Sequence, residues 1–171
     1  IAKPDTCVIT NIGTCHLENL GDRDGVLKAK TEIFQSMQPS GHIVLNGDDD
    51  KLATVDGYHG VKPVFFGLDA KRDVYADQIV SRGLKGVSCR IHMGEDAFDV
   101  LMPTPGIHMV YNALAAAAVG RIYGLTIEEI KRGIESLETI RGRFKMIETE
   151  NFLVVDDCYN ANPMSMKASL D

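Results

Sequence analysis

Apolar positions along the chain change spacing several times, and each change marks an element. Cys7, Val8 and Ile9 lie in a short β-rich run, "TCVITN" (6–11), that closes on polar residues and a glycine, the profile of a buried strand. From Gly25 the period lengthens. Val26, Lys30, Ile33 and Met37 fall on one helical face with Phe34 beside it, and "PSG" (39–41) ends that helix. "HIVLN" (42–46) is a second strand. "GDDDKLATVDG" reads as a turn and a short helix with aspartates near its N-terminus, and "VKPVFFG" (61–67) as a third strand. Strand, helix, strand, helix, strand at this spacing predicts a parallel α/β sheet with flanking helices.

The rhythm breaks over residues 73–102. Three strands are predicted there, with turns at "RGLKG" and "MGED". The alternation of Val87, Cys89 and Ile91 suits an antiparallel β-meander with one wet face, a small sheet inserted into the fold. Helix resumes in "PTPGIHMVYNALAAAAVGRIYG" (103–124), where alanines permit close packing and Gly124 supplies a C-cap. "TIEEIKRGIESL" (126–137) is another helix, with Thr126 as N-cap and Glu129 completing a capping box. Two strand-like runs, 144–149 and 152–156, flank a "TEN" turn, and "CYNANPMSMKASLD" looks like a loop entering a helix. A strand, a polar loop and a helix start is how a further α/β domain opens. A boundary is therefore expected near 138–142, dividing the chain into a domain over 1–140 and the start of another over 141–171.

Composition narrows the function. The chain has 171 residues, 44% hydrophobic and 25% charged, enough to bury a core without covalent staples. A net charge of -6 argues against a general nucleic-acid binder, although local cations or a metal can still hold an anionic small molecule. Cys7, Cys15, Cys89 and Cys158 form no C-x-x-C pair and no zinc spacing, and read as reduced thiols of a cytoplasmic protein. No run of ~18 apolar residues predicts a membrane span, and no signal peptide is visible at the start. The first residue is not Met, and the chain stops inside an apparent helix, so a segment of a longer protein is expected.

Several residues could carry chemistry. His16 follows a strand end, where open α/β sheets bind ligands, with Thr10, Asn11 and Glu18 nearby. A neutral imidazole among oxygen ligands can hold a divalent metal; the alternative is a surface-loop histidine. Lys30 falls in an apolar stripe. Burial there would favour the neutral amine, which can react with carbon dioxide to give an anionic carbamate; the alternative is a lysine snorkelling from a helix edge. Asn112, near a helix start, offers the donor and acceptor that an adenine edge needs, or simply packs between helices. Arg141 and Arg143 in "RGRF" are loop cations able to close on a phosphate, or a solvated linker. Asp156 and Asp157 end an apolar strand and could take a ribose hydroxyl or cap a loop. Nothing matches G-x-x-x-x-G-K-[ST], so the chain by itself carries no visible triphosphate cradle.

Taken in order, "TNIGTCHLENLG", "KAKTEIF", "HIVLNGDDD", "PGIHMVYNALAAAA", "RGRF" and "VVDDCYNANP" resemble the Mur ligase family over nearly all of the chain. "NIG" with "HLE", and above all "DDCYNANP", are similar to the branch that adds D-alanyl-D-alanine to UDP-N-acetylmuramoyl-tripeptide. The diamino-acid-adding branch more typically shows a "DYAHTP"-like stretch there. The resemblance implies most of a central ATP-binding domain plus the first piece of a C-terminal domain that binds the incoming dipeptide. It further implies an amide ligase of peptidoglycan precursor synthesis that uses ATP and Mg²⁺ and passes through an acyl phosphate. Carried over by position, His16 matches a magnesium ligand and Lys30 the carbamoylated lysine of a second metal site. Asn112 matches the adenine-contacting asparagine, Arg143 the arginine that reaches the γ-phosphate, and Asp157 the aspartate contacting ribose. Tyr159, Asn160 and Asn162 lie in the branch-specific loop. Where many members have His-Asn, this chain has His108-Met109. The family's Gly-rich loop, its acidic metal ligand and its UDP-binding domain are expected before Ile1, so the isolated chain is expected to be inactive. A non-catalytic binding domain on the same fold, or another ligase of this type such as a folate-polyglutamylating enzyme, are the competing readings; "DDCYNANP" argues against the latter.

Overall fold

A computed structural model describes residues 2–14, 17–161 and 165–167. His16 and Asn162 lie outside the described residues. The first strand, β1 (Thr6–Ile9), is followed by a short helix α1 (Leu17–Leu20), by α2 (Arg23–Thr31) and by a 3₁₀ segment Glu32–Ser36. Asp22 caps α2, its Oδ1 accepting from the Gly25 amide at 2.9 Å. Gly25 is needed for the tight α1–α2 corner, because a Cβ there would overlap the Leu20 carbonyl.

The expected apolar stripe holds only in part. Val26 and Phe34 are buried, but Lys30 and Ile33 are exposed. Past Thr31 the chain winds as 3₁₀, which breaks the 3.6-residue extrapolation through residues 32–37 and leaves Ile33 exposed; Lys30 lies within α2 itself, where its Nζ reaches out to the Asn11 carbonyl. Lys30 is exposed rather than set in an apolar stripe.

β2 (His42–Asn46) and β3 (Pro63–Gly67) pair parallel to β1 and to each other. β4 (Val74–Ser81) is also parallel to β3, although only six residues join them. That short link suffices because the strands overlap only at Phe66–Val74 and Gly67–Tyr75, so the chain need not climb back along the sheet. β5 (Val87–Met93) and β6 (Asp96–Met102) follow as an antiparallel meander. The meander is not a separate inserted sheet. It extends the main one, giving six strands in the order β1-β2-β3-β4-β5-β6.

Alternation along β2 divides the core. Ile43 and Leu45 face α2 and the 3₁₀ segment with Cys7, Ile9, Val26 and Phe34, whereas Val44 faces the other layer with Phe66 and the meander. That second layer is α3 (Ile107–Ile122) and α4 (Ile127–Glu135). Alanines let α3 lie close to the sheet, and Gly120 gives room to Ile130, whose Cγ1 would stand 2.8 Å from an added Cβ. The predicted capping box is present: Thr126 Oγ1 accepts from the Glu129 amide at 3.2 Å, and Glu129 Oε2 accepts from the Thr126 amide at 2.9 Å.

β7 (Lys145–Glu148) and β8 (Leu153–Asp156) form a separate antiparallel pair. Among the described residues after Ile134, only Gly142 is buried. No helix among the described residues is long and apolar enough to cross a membrane.

Candidate functional site at the carboxyl end of the sheet

The loop that leaves β1 is fastened by side chains from three other segments. Asn46, the last residue of β2, donates through Nδ2 to the Thr10 carbonyl at 3.0 Å. Lys30 Nζ donates to the Asn11 carbonyl at 2.8 Å. The Ile12 amide donates to Asp49 Oδ2 at 2.7 Å, and the Ile12 carbonyl accepts from Arg23 Nε at 2.9 Å. Arg23 also grips Asp50 with both terminal nitrogens, at 3.0 and 2.5 Å. That hydrogen bond, first, holds the Asp50 carboxyl below the usual carboxylate range. The exposed Lys30 side chain is thus anchored on a backbone carbonyl of the loop that leaves β1.

Asp48 gathers two more elements. Its Oδ2 accepts from the Leu68 amide at 2.5 Å and from the Tyr111 hydroxyl at 3.2 Å, and its Oδ1 from Arg72 Nε at 3.2 Å. The loops after β2 and β3 and the start of α3 meet on one carboxylate. Burial first, and then the Asp48 charge, raise the Tyr111 phenol above its ordinary value. Sequence reasoning took the "GDDD" acids only as helix-start residues. Asp49 does accept from the Lys51 and Leu52 amides at 3.0 Å, but its bond to Ile12 and the partners of Asp48 carry no local signal.

Asn112 lies one residue beyond Tyr111 and is exposed. It lines a groove of about 350 Å³ between α3 and α4, among Met102, Met109, Ala116, Ile134 and Leu137. Its Nδ2 donates weakly to Met109 Sδ at 3.7 Å. The groove is apolar, with Asn112 and Glu129 its polar members.

A second cluster is built by the C-terminal segment. The Gly142 amide donates to Asp156 Oδ2 at 3.1 Å, the Tyr159 amide to the Gly142 carbonyl at 3.1 Å, and the Phe144 amide to Asp157 Oδ1 at 3.3 Å. "RGRF" and "DDCY" are thereby stitched together, and the Arg143 guanidinium lies 4.2 Å over the Tyr159 ring. Arg143 from one motif, and Asp157 and Tyr159 from another, are brought together. Asn160 follows, its Oδ1 accepting from the Ala161 amide at 2.8 Å. The Asp157 charge also acts on His108 at the start of α3: burial lowers the imidazole below its ordinary value, and Asp157 partly opposes that.

Among the described residues no group of three or more His, Cys, Asp or Glu side chains is placed to hold a metal. The donors at the β1 end are instead mixed: backbone carbonyls, the Asn46 amide and the Lys30 amine. A carbamate on Lys30 would keep one N–H for the Asn11 carbonyl and present two carboxylate-type oxygens, the donor type a hard cation takes.

Comparison with known proteins places these features. The Mur ligase middle domain matches residues 1–120. The UDP-N-acetylmuramoyl-tripeptide–D-alanyl-D-alanine ligases of Bacillus subtilis and Escherichia coli are 34% and 33% identical over 99% of this chain. The chain spans 36% and 38% of the length of those relatives. Among solved structures, MurF from Acinetobacter baumannii superposes with a TM-score of 0.89 at 33% identity, covering 98% of this chain and 36% of that one. MurF ligase from Thermotoga maritima in complex with ADP gives 0.84 at 28% identity, covering 99% of this chain and 39% of that one.

Proposed function

This chain belongs to the Mur ligase family, whose middle domain it carries, and on that premise we propose that it serves an ATP-dependent ligase that joins D-alanyl-D-alanine to UDP-N-acetylmuramoyl-tripeptide in the cytoplasm. The observation that carries the reading is the extent of the match. Relatives of that activity align over 99% of the chain, through the clustered Arg143–Asp157–Tyr159 loop as well as the sheet. In this reading residues 1–140 supply the nucleotide side of the reaction, and 141–171 open the domain that receives the dipeptide.

Bound ATP would supply the phosphoryl group that turns the substrate carboxylate into an acyl phosphate, and Mg²⁺ would offset the charge that gathers there. The chain's own residues bind and orient. Asn112, at the mouth of the α3–α4 groove, meets the adenine edge with both halves of its amide. Arg143, its guanidinium 4.2 Å from the centre of the Tyr159 ring, offers its N–H groups to a γ-phosphate. Asp157, tied to the Phe144 amide, faces ribose. His16 serves as a magnesium ligand, and Lys30, as a carbamate, supports a second metal. Tyr159, Asn160 and Asn162 line the approach of the dipeptide.

The test is ADP release by the ligase that contains this chain. Release should require the tripeptide, D-alanyl-D-alanine and Mg²⁺ together; turnover indifferent to the dipeptide would overturn the substrate assignment. The 171-residue chain alone, which has no G-x-x-x-x-G-K-[ST] loop, should release no ADP. Lys30→Ala should abolish turnover and regain part of it with added acetate or formate, and absence of rescue would count against the carbamate.

A further inference from the structure

We propose that the Asp48–Tyr111 hydrogen bond is a positioning clamp for the nucleotide base, fixing the first turns of α3 so that Asn112 is presented to it. The proposal deepens the ligase reading and rests on it.

The start of α3 lacks a side-chain cap. Its N-cap is Gly106, which has no side chain to satisfy the first amides. Helix starts without such a cap fray, and a fray here would move Met109 and Asn112, both on the groove wall. Packing holds one side of the turn, through Val110, Ala113 and Leu114. Packing alone leaves small rotations about the helix axis inexpensive, because apolar contacts are not directional.

Tyr111 supplies the missing direction. Its hydroxyl reaches 3.2 Å to Asp48 Oδ2, across 63 residues of sequence. The acceptor is itself tied down, by the Leu68 amide and by Arg72. The surroundings are close enough to resist rearrangement: a Cβ on Gly67 would stand 2.5 Å from Asp48 Oδ1, and one on Gly47 2.6 Å from Arg72 Nε. A hydrogen bond from phenol to carboxylate is charge-assisted and directional. Tyr111 and Asn112 are consecutive on the helix, about 100° apart around its axis. Fixing one toward the sheet edge therefore sets the azimuth of the other toward the groove.

The test uses the ligase that contains this chain, with Tyr111→Phe, Asn112→Ala and the double variant. Tyr111→Phe keeps the ring and removes only the hydroxyl. It should raise the KM for ATP and the Kd for ADP by about fivefold, the usual worth of one such bond. The kcat and the KM values of the two other substrates should stay within about twofold. Asn112→Ala should weaken nucleotide binding further, and adding Tyr111→Phe to it should cost nothing more, because the clamp acts through Asn112. Asp48→Asn, which keeps one acceptor oxygen, should fall between wild type and Tyr111→Phe. Unchanged nucleotide affinity in Tyr111→Phe would overturn the clamp, as would effects of Tyr111→Phe and Asn112→Ala that simply add. So would an equal loss in kcat and in every KM together with a lowered Tm, the mark of general structural damage. A wild-type ligase that binds no ADP would instead overturn the ligase reading itself.

Discussion

The two parts of the chain that carry candidate site residues are held by different physics. The six-stranded sheet with its helices buries two apolar clusters, one on each face, and places Lys30 and Asn112 at its edges. The segment after Ile134 buries no apolar side chain among the described residues: Met146, Ile147, Leu153, Val154 and Val155 are exposed, and Phe152 is 72% exposed. It keeps Arg143, Asp157 and Tyr159 together with a few hydrogen bonds and one cation–π contact. The contrast suits the division of labour proposed above. A site that must hold a nucleotide benefits from a packed scaffold, whereas residues that close on it can sit on a segment with little internal burial.

The widest gap should open on truncating apolar side chains. Phe66 is fully buried, so Phe66→Ala should destabilise the chain by about 3–5 kcal/mol in urea unfolding. Val154→Ala in the exposed hairpin should stay within about 0.5 kcal/mol. Equal costs would mean that the hairpin is packed after all. A smaller, local effect is expected of Asp156→Ala, which removes the acceptor of the Gly142 amide and of the Cys158 thiol. Hydrogen exchange should speed up over residues 141–159 and leave β1–β3 unchanged. Because its hydrogen bonds lower the Asp156 pKa, that staple should persist above the ordinary carboxylate range and fail only as pH falls below it.

The smallest effect probes how the two parts communicate. Burial lowers the His108 pKa and the Asp157 charge opposes this, so Asp157→Asn should move the NMR titration of His108 further down. A lowered histidine pKa means that the unfolded chain binds the proton more readily. This group's contribution to stability is therefore complete above the unfolded value of about 6.5, and is lost as pH falls from there toward the folded pKa. An unmoved His108 titration would separate the C-terminal segment from α3.

Elements with strong local patterns were legible in the residues. β2 occupies the predicted 42–46, the meander strands fall where alternation put them, and Thr126 and Glu129 form the predicted box. Where the winding changed, pattern reading failed. The 3₁₀ turn after Thr31 exposed Ile33, and α1, four residues long, had too little period to detect. The meander's docking onto β3 was hidden too, because only two residue pairs make it. For the site, motif order points to Arg143, Asp157 and Tyr159 as candidates, whereas the long-range bonds of Arg23, Asp48 and Asp49 leave no mark in the local pattern.

What the sequence determined by itself is local and ordinal: which stretches are strand or helix, where they are capped, and a motif order that points to one family. Those properties are written in neighbouring side chains and their spacing, within reach of a few residues. The tertiary structure alone decided that the exposed Lys30 side chain bonds the Asn11 carbonyl, and that Asp48 ties two loops to α3. Such bonds join residues 19 to 63 positions apart. Their existence depends on how strands and helices stack, a geometry that no local periodicity encodes.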